Sequence, residues 1–421
     1  MMQKSKSVFK KQCDDYFVLH HVEHHAVYMF HKDVETLWNY IENGMEVVDL
    51  HTLLVDRGYD MSYDEIKDFV SFFAQLGVIK LEGVTEDEGV ILENNQYDSY
   101  IDYCCSKSVP TILHIELTNA CNLKCIHCFH DQSSVWLNFE NLVKLLRETK
   151  NSSFVRVTFT GGEIGLYPKW REAIEVAQEC GLSVAILSNL TCFNAQDLDY
   201  IAGVKPMFVR TSLYGSRASI HDGITGIEGS FDKTLQNIRY LKEKGVKSLI
   251  ACSVMKDNVN DVVLLNQKAK EWGMQIEFGY QILPSRNGTK NVSGLMITHK
   301  SYEYLIKEGI LRKSSETSCT PGSYRIAIDS VGYIYSCDAL RVPIGNIKVD
   351  SVFDAICSEE MKKIKNAVAK YSPEKCQSCV SVAECFKCPG LVWSYNPYVN
   401  ECSPVHCLYT SIVCGKGAGR C

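Results

Sequence analysis

The chain has 421 residues, which is too long for one compact core and predicts two or three domains. Its composition, 46% hydrophobic and 22% charged, is typical of a globular protein, and no apolar run is long enough to span a bilayer. The net charge of -6 gives no reason to expect nucleic acid as a partner. Because no signal-peptide core follows the basic N-terminus, we expect a cytoplasmic chain that does not bind membranes.

Residues 1–95 have the element order of a winged helix-turn-helix domain. Two apolar runs predict a strand hairpin, three helical patterns follow, and a short strand closes the region. The third helix is marked by the capping box Ser62-x-x-Glu65. The acidic, polar stretch Glu82–Asp98 is typical of a linker, and we place the linker between the first two domains at residues 96–109. The predicted elements are strands Tyr16–Leu19 and Ala26–Phe30, helices Val34–Glu42, Val47–Asp56 and Tyr63–Gln75, and strand Val78–Leu81.

Residues 110–305 alternate strands with helices in a regular way. Six β/α units in succession predict a parallel α/β sheet, and six units are enough for a partial (β/α)6 barrel. In such folds the side chains that carry out chemistry lie at the C-terminal ends of the strands. The predicted strands are Thr111–Leu117, Phe154–Phe159, Leu182–Leu187, Met207–Leu213, Ser248–Val254 and Gln275–Tyr280.

The cysteines indicate metal or cluster binding. Twenty cysteines in a reducing compartment are unsuited to a disulfide framework, whereas thiolates at short spacing bind metals or iron–sulfur clusters. Eleven of them follow position 300. We therefore expect residues 306–421 to be organised around metal rather than around a large apolar core.

A triplet of cysteines follows the first predicted barrel strand, with the spacing Cys121-x3-Cys125-x2-Cys128. A cluster of four irons needs four ligands, so three thiolates leave one iron open to a small molecule. A zinc site would need a fourth ligand, and His127 lies between two of the cysteines, where simultaneous chelation is strained. Polar residues end the next three strands, namely Gly161-Gly162-Glu163, Ser188-Asn189, and Arg210 with Ser212.

With this triplet and these strand ends, the chain resembles the radical S-adenosylmethionine (SAM) superfamily. The resemblance implies one catalytic [4Fe–4S] cluster, whose open iron binds SAM and whose electron generates a 5′-deoxyadenosyl radical. It also implies that Glu163 accepts a hydrogen bond from the SAM amino group. The SAM-binding residues implied by the resemblance are Gly161, Gly162, Glu163, Ser188, Asn189, Arg210 and Ser212.

The C-terminal cysteines resemble the SPASM extension of radical SAM enzymes, which carries two auxiliary [4Fe–4S] clusters. They follow the spacing Cys319-x12-Gly332-x4-Cys337 and then C-x2-C-x5-C-x2-C, where the usual last interval has three residues. The alternative is one or two structural zinc sites, because paired C-x2-C units are common zinc ligands. The resemblance implies an outer cluster on Cys376, Cys379, Cys385 and either Cys407 or Cys402. It implies an inner cluster on Cys319, Cys337 and Cys388, completed by Cys402 or by a substrate thiolate.

The N-terminal domain points to a peptide rather than to DNA. Its candidate recognition helix carries Asp64, Glu65 and Asp68 against Lys67, a charge balance that repels phosphate. In a radical SAM–SPASM chain this domain resembles the peptide-recognition element of ribosomal-peptide maturases. The resemblance implies a precursor peptide whose leader binds as an added strand, and an electron donor such as flavodoxin or ferredoxin.

Three segments, Ser212–Gly215, His221–Gly226 and Gly229–Phe231, resemble the sactipeptide and ranthipeptide maturases, which form thioethers. We therefore predict hydrogen abstraction from a precursor-peptide residue followed by an intramolecular bond to a Cys sulfur. The alternatives are peptide epimerisation, carbon–carbon crosslinking, and a non-catalytic iron–sulfur electron carrier. A cluster of four histidines in the N-terminal hairpin remains open to two interpretations, a metal site or a solvated turn: His20, His21, His24 and His25.

Overall fold

A computed structural model of the chain describes most of the sequence in three successive groups of elements. The described residues are 1–131, 133–283, 285–286, 292–311, 319–379, 381, 385, 388–393, 398–401 and 404–415. Within these ranges no helix is long and apolar enough to cross a membrane.

The N-terminal group joins a small antiparallel sheet to three helices, as the predicted winged helix-turn-helix requires. Its elements are β1 (Met2–Lys4), β2 (Val8–Lys11), β3 (Phe17–His21), β4 (Ala26–Phe30), α1 (Asp33–Tyr40), α2 (Val47–Asp56), α3 (Tyr63–Gln75) and β5 (Ile79–Leu81). Strands β2, β3 and β4 form one sheet in that order, while β1 pairs with β5. At the start of α3 the Ser62 hydroxyl accepts from the Glu65 amide, and the Glu65 carboxylate accepts from the Ser62 amide at 2.8 Å. The predicted capping box is thus confirmed.

The segment predicted as a linker, residues 96–109, is instead largely helical. Two helices follow β5, namely α4 (Glu88–Asn94) and α5 (Tyr97–Ser106). Tyr97 and Tyr100 of α5 are buried in a cluster that also contains Val27 of β4 and Ile112 of the barrel. The acidic composition concealed this contact, because two tyrosines supply much of the apolar surface that attaches the helix to its neighbours.

The middle group forms the predicted parallel sheet. Its strands are β6 (Ile112–Thr118), β7 (Arg156–Gly161), β8 (Ser183–Leu187), β9 (Phe208–Ser212), β10 (Ser248–Ser253) and β11 (Gln275–Gly279). Its helices are α6 (Phe139–Glu148), α7 (Trp170–Glu179), α8 (Ala195–Gly203), α9 (Ala218–Thr225), α10 (Ser230–Glu243), α11 (Val262–Glu271) and α12 (His299–Lys307). Strands β6 to β11 lie side by side in sequence order and are all parallel, which confirms the six β/α units.

The two faces of β6 differ in chemistry. Leu113, Ile115 and Leu117 are buried in the main hydrophobic core. His114 and Glu116 alternate with them and therefore project from the opposite face of the sheet. This opposite face carries the polar groups of the site described below.

The C-terminal group extends the barrel sheet. Its elements are β12 (Arg325–Ile328), β13 (Tyr333–Tyr335), β14 (Pro343–Asn346), α13 (Val352–Cys357), α14 (Glu359–Ala369), α15 (Glu374–Gln377), α16 (Pro389–Trp393) and α17 (Pro404–Cys414). Strand β12 pairs in parallel with β6, and β13 and β14 follow to complete a nine-stranded sheet. Ile326 and Ile328 join the barrel core, so metal is not the sole organiser of this region. Strands of three or four residues are too short to show an alternating pattern, which is why the sequence did not predict them.

Candidate active site

The three cysteines of the triplet line one cavity of about 360 Å³ at the C-terminal ends of the barrel strands. The loop that carries them is fixed to helix α9, because the amides of Lys124 and Ile126 donate to the carbonyls of Thr225 and Ile224 at 2.8 and 3.0 Å. Burial raises the pKa of Cys121 to about 11, and the Leu123 amide donates to its sulfur at 3.5 Å. Three thiols sharing one cavity fit the three-ligand site of an open [4Fe–4S] cluster.

His127 lines the same cavity, but its ring packs edge-on against Tyr214, with ring centroids 4.7 Å apart. Tyr214 is buried and stacks in turn on His221, at a centroid distance of 5.5 Å. This aromatic group forms one wall beside the cysteines. The ring contact gives His127 a packing role there.

Gly161 and Gly162 hold the end of β7 against the cysteine loop. A Cβ on Gly161 would lie 2.3 Å from the Thr118 carbonyl oxygen, and one on Gly162 would lie 2.3 Å from that of Ala120. The Gly162 amide donates to the Thr118 carbonyl at 2.7 Å. Both glycines line the cavity, so their first requirement is this close backbone approach, which leaves room for a ligand beside them.

Glu163 is 1% exposed, and its carboxylate accepts three hydrogen bonds from the protein. It accepts from the Ser188 hydroxyl at 2.6 Å and from the Asn189 and Gly165 amides at 2.8 and 3.0 Å. Burial raises the pKa of Glu163. The side chain thus fixes the turn after β8, while its Oε2 atom accepts only the Asn189 bond and keeps room for one further donor.

The turn held by Glu163 reaches the cysteine loop. The side-chain amide of Asn189 donates to Asn122 at 3.0 Å and lies 3.9 Å from the Cys121 sulfur. Ser188 and Asn189 also line the cavity. The turn therefore places one polar side chain beside the first cysteine.

Arg210 and Ser212, at the end of β9, line the opposite side of the cavity. Arg210 forms an ion pair with Glu277 of β11 at 3.1 Å and is 41% exposed. Six of the seven predicted SAM-binding residues thus line one cavity, and the seventh, Glu163, fixes the turn that carries Ser188 and Asn189.

A buried charge cluster was not predicted from the sequence. Glu116 of β6 accepts from Arg286 at 2.8 Å and from Arg341 at 2.6 Å. Burial opposes ionisation of Glu116, but the two guanidinium groups outweigh it and lower its pKa to about 2. Arg286 also stacks over the ring of Phe129, next to Cys128, at 4.9 Å.

The cluster connects the cysteine loop with the C-terminal group, because Arg341 lies between β13 and β14. A second carboxylate on the same side, Asp338, follows Cys337 directly and binds His114 and Arg325. Each of three residues lies 170 or more positions along the chain from its partner on β6, namely Arg286, Arg341 and Asp338. No local spacing could have indicated them.

The cysteines assigned to the inner cluster come together. Burial and the neighbouring thiols of Cys337 and Cys388 raise the pKa of Cys319 to about 12. The Leu340 amide donates to the Cys337 sulfur at 3.2 Å, as amides do around cluster sulfurs. Three nearby thiols again fit a cluster site with a fourth position to be filled from elsewhere.

The cysteines assigned to the outer cluster lie around α15 and α17. Cys376 is in α15, Cys379 follows it, and Cys407 is in α17. The Thr410 hydroxyl donates to the Cys385 sulfur at 3.0 Å. Cys402, a candidate ligand for either cluster, lies outside the described residues. The ligand sets of both auxiliary clusters stay predictions.

Comparison with known proteins agrees with this geometry. The radical SAM superfamily matches residues 115–265, and the SPASM iron–sulfur cluster-binding domain matches residues 319–380. The chain is 25% identical over 340 residues to the subtilosin biosynthesis protein AlbA of Bacillus subtilis, which covers 76% of this chain and 74% of AlbA. It is 23% identical over 350 residues to the AdoMet-dependent heme synthase of Methanosarcina barkeri, covering 72% of this chain and 97% of that protein.

A solved structure shares the fold over almost the whole length. It is Streptococcus suis SuiB bound to its precursor peptide SuiA, with a TM-score of 0.60, 16% identity, and coverage of 96% of this chain and 100% of SuiB. The matched segments contain the cysteine triplet and the first C-terminal cysteines. The chain is therefore a member of the radical SAM superfamily with a C-terminal SPASM domain, and its cofactors are SAM and [4Fe–4S] clusters.

Proposed function

We propose that this enzyme is a peptide maturase that joins a Cys sulfur of a precursor peptide to a carbon of another residue in the same peptide. The observation that carries the proposal is that both groups of thiols are linked to strand β6. Arg286 binds Glu116 of that strand and stacks over Phe129 of the cysteine loop, and Asp338, next to Cys337, binds His114. A substrate held between them can lose a hydrogen atom on one side and an electron on the other.

The reaction removes two hydrogens from the peptide. When bound, the cluster and SAM supply the 5′-deoxyadenosyl radical that takes one hydrogen atom from carbon. The thiol loses a proton as the carbon–sulfur bond forms, and an auxiliary cluster that Cys319, Cys337 and Cys388 would hold would accept the remaining electron. The chain's own residues shape the cavity, fix the cysteine loop and keep the Glu116 carboxylate ionised beside it.

The N-terminal domain supports a peptide as substrate. The place where this domain is attached to the barrel sets a minimum distance between a bound leader and the modified residues. His20 bonds to the Gly181 carbonyl and the Ser183 hydroxyl, each at 3.0 Å, and His25 bonds to the same hydroxyl at 2.9 Å. Ser183 is the first residue of β8, whereas the cysteine cavity lies at the opposite ends of the strands. A bound leader must therefore be joined to the modified residues by a spacer spanning at least a five-residue strand, about 17 Å.

The β4 edge of the hairpin sheet, to which a leader strand could add, is already covered by the chain itself. The amides of Val27 and Met29, which point outward from β4, donate to the side chains of Asn95 and Gln96 at 3.1 and 2.8 Å. The Gln96 amide returns a bond to the Val27 carbonyl at 2.7 Å. A leader that adds to β4 must displace these bonds, which makes it a competitor of the chain's own segment.

The experiment that tests the proposal is mass spectrometry of a Cys-containing precursor peptide after anaerobic incubation with reconstituted enzyme, SAM and reductant. Thioether formation predicts a loss of two hydrogens, a blocked thiol and release of 5′-deoxyadenosine, with fragmentation locating the bond. The Cys125→Ser variant, which lacks one ligand of the triplet, is the matched control and should release no 5′-deoxyadenosine.

Other outcomes would identify the alternatives. An unchanged mass with deuterium uptake from solvent indicates epimerisation. A loss of two hydrogens with the thiol still free indicates a carbon–carbon crosslink. If no condition yields 5′-deoxyadenosine, the non-catalytic electron carrier becomes the better interpretation.

A further inference from the structure

The four histidines of the N-terminal hairpin divide into two pairs. His20 and His25 face the barrel and bind its backbone and Ser183. His21 and His24 face the other way, towards Glu86, which follows β5. A set of two imidazoles and one carboxylate is a recurring zinc ligand set.

The three side chains converge closely. One ligand atom from each lies within 4.8 Å of the other two. The Nε2 atom of His24 is 2.9 Å from a carboxylate oxygen of Glu86, and the rings of His21 and His24 are 4.2 Å apart. Tetrahedral zinc with bonds of about 2.1 Å separates its ligand atoms by about 3.4 Å, so small side-chain movements would suffice.

An ion pair between His24 and Glu86 alone does not explain the position of His21. His21 is 1% exposed, and its Nε2 atom has no hydrogen bond of ordinary length and angle among the described residues, although the Gly77 backbone lies near the ring. A buried polar atom normally has a partner, so an unsatisfied imidazole nitrogen beside two other ligands indicates a missing group.

The backbone also makes room for the carboxylate. Gly77 has a φ of +73°, and a Cβ there would lie 3.1 Å from the Glu86 carboxyl carbon. His25 has a φ of +50°, which any residue other than glycine adopts at a cost and which shapes the turn carrying His24. Two special backbone positions thus frame the same three side chains.

We propose that His21, His24 and Glu86 bind one zinc ion, with water in the fourth position. The ion joins the end of β3 and the β3–β4 turn to the segment after β5. His24 and Glu86 are 62 residues apart in the sequence. It is separate from the cysteine sites, and it secures the hairpin whose other face is attached to the barrel.

The test uses reconstituted holoenzyme, so that the cysteines are occupied by iron. The protein is equilibrated with zinc buffered at micromolar free concentration, and zinc and iron are measured in the same sample by mass spectrometry. We expect one zinc per chain, and at least a fivefold lower zinc content in His24→Ala and in Glu86→Gln at unchanged iron content. The matched control is His31→Ala, because His31 is an exposed histidine of the same domain that pairs only with Asp33 in the described contacts; it should keep its zinc.

X-ray absorption at the zinc edge separates this site from stray binding to cysteine. Nitrogen and oxygen neighbours alone support the proposal, whereas sulfur neighbours overturn it. Zinc retained at the wild-type level in both variants, or absent from wild-type protein, also overturns it and leaves a hydrogen-bonded His24–Glu86 pair.

Discussion

The role of Glu163 can be decided by one conservative substitution. In Glu163→Gln, the amide oxygen can still accept from Ser188 and Gly165, which share one carboxylate oxygen, Oε1. The new amide NH2 group then faces the backbone N–H of Asn189, which in the wild type donates to the other carboxylate oxygen, Oε2, at 2.8 Å. One charge-assisted hydrogen bond is lost and a buried donor is left unpaired, at a cost of about 2 kcal/mol.

That cost should appear in SAM binding, because the turn carrying Asn189 lines the cavity and approaches Cys121. A loss of about 2 kcal/mol corresponds to about 30-fold weaker binding. The measurement is calorimetric titration of SAM into anaerobically reconstituted wild-type and variant enzyme with matched iron content.

A SAM analogue without its amino group distinguishes positioning from direct contact. If Glu163 acts through the turn, removal of the amino group weakens binding by the same factor in wild type and in Glu163→Gln. If the penalty for the missing amino group disappears in the variant, Glu163 contacts that group and our interpretation of its hydrogen bonds is refuted. Unchanged SAM affinity in Glu163→Gln would equally refute it.

Four further predictions concern other parts of the structure. Glu116→Gln should destabilise the enzyme by about 3 kcal/mol, because the pKa of Glu116 is lowered from 4.5 to about 2 on folding. This contribution to stability is complete above pH 4.5 and is lost only below it, so the penalty measured by urea unfolding should be constant from pH 8 to 5. A penalty that changes with pH in that range would contradict the ion pairing. Ser183→Ala removes the hydroxyl that His20 and His25 share. It should speed hydrogen exchange in the 17–30 hairpin, because the free energy that protects its amides should fall by about 1–3 kcal/mol. Gln96→Ala frees an edge amide of β4 and should strengthen leader binding about fivefold in fluorescence anisotropy, whereas unchanged affinity places the leader on another surface. Gly162→Ala should abolish iron binding, because the methyl group of the new alanine would lie 2.3 Å from the Ala120 carbonyl oxygen. The control Gly203→Ala, where a methyl group meets no atom within 4 Å, should retain full iron content.

The acidity of the N-terminal domain adds a constraint on its ligand. Residues 1–95 contain 18 Asp and Glu against 8 Lys and Arg, a net charge of -10 in a chain whose total is -6. The remaining residues therefore carry a net charge of +4. A leader rich in Lys or Arg would be attracted to this domain, and its affinity should fall with ionic strength.

The sequence by itself determined those features whose signal is local. The cysteine triplet lies within eight residues, the capping box spans four, and each barrel strand and helix carries its own apolar period. Because parallel β/α units follow one another in a fixed hand, their order along the chain also fixed the order of the sheet and the edge at which the cysteines lie. Element bounds differ from prediction by a residue or two in the barrel, where the periodic signal is strong.

Only the tertiary structure decided what depends on segments that are distant in sequence. The three thiols of Cys319, Cys337 and Cys388, the two arginines on Glu116, and the addition of β12 to β6 have no periodic or spacing signal of their own. The same holds for Glu163, whose motif predicts a ligand contact and whose carboxylate also fixes a turn 25 residues away. A buried charge takes whichever donors the fold brings to it, and those donors can be known only after the chain has packed.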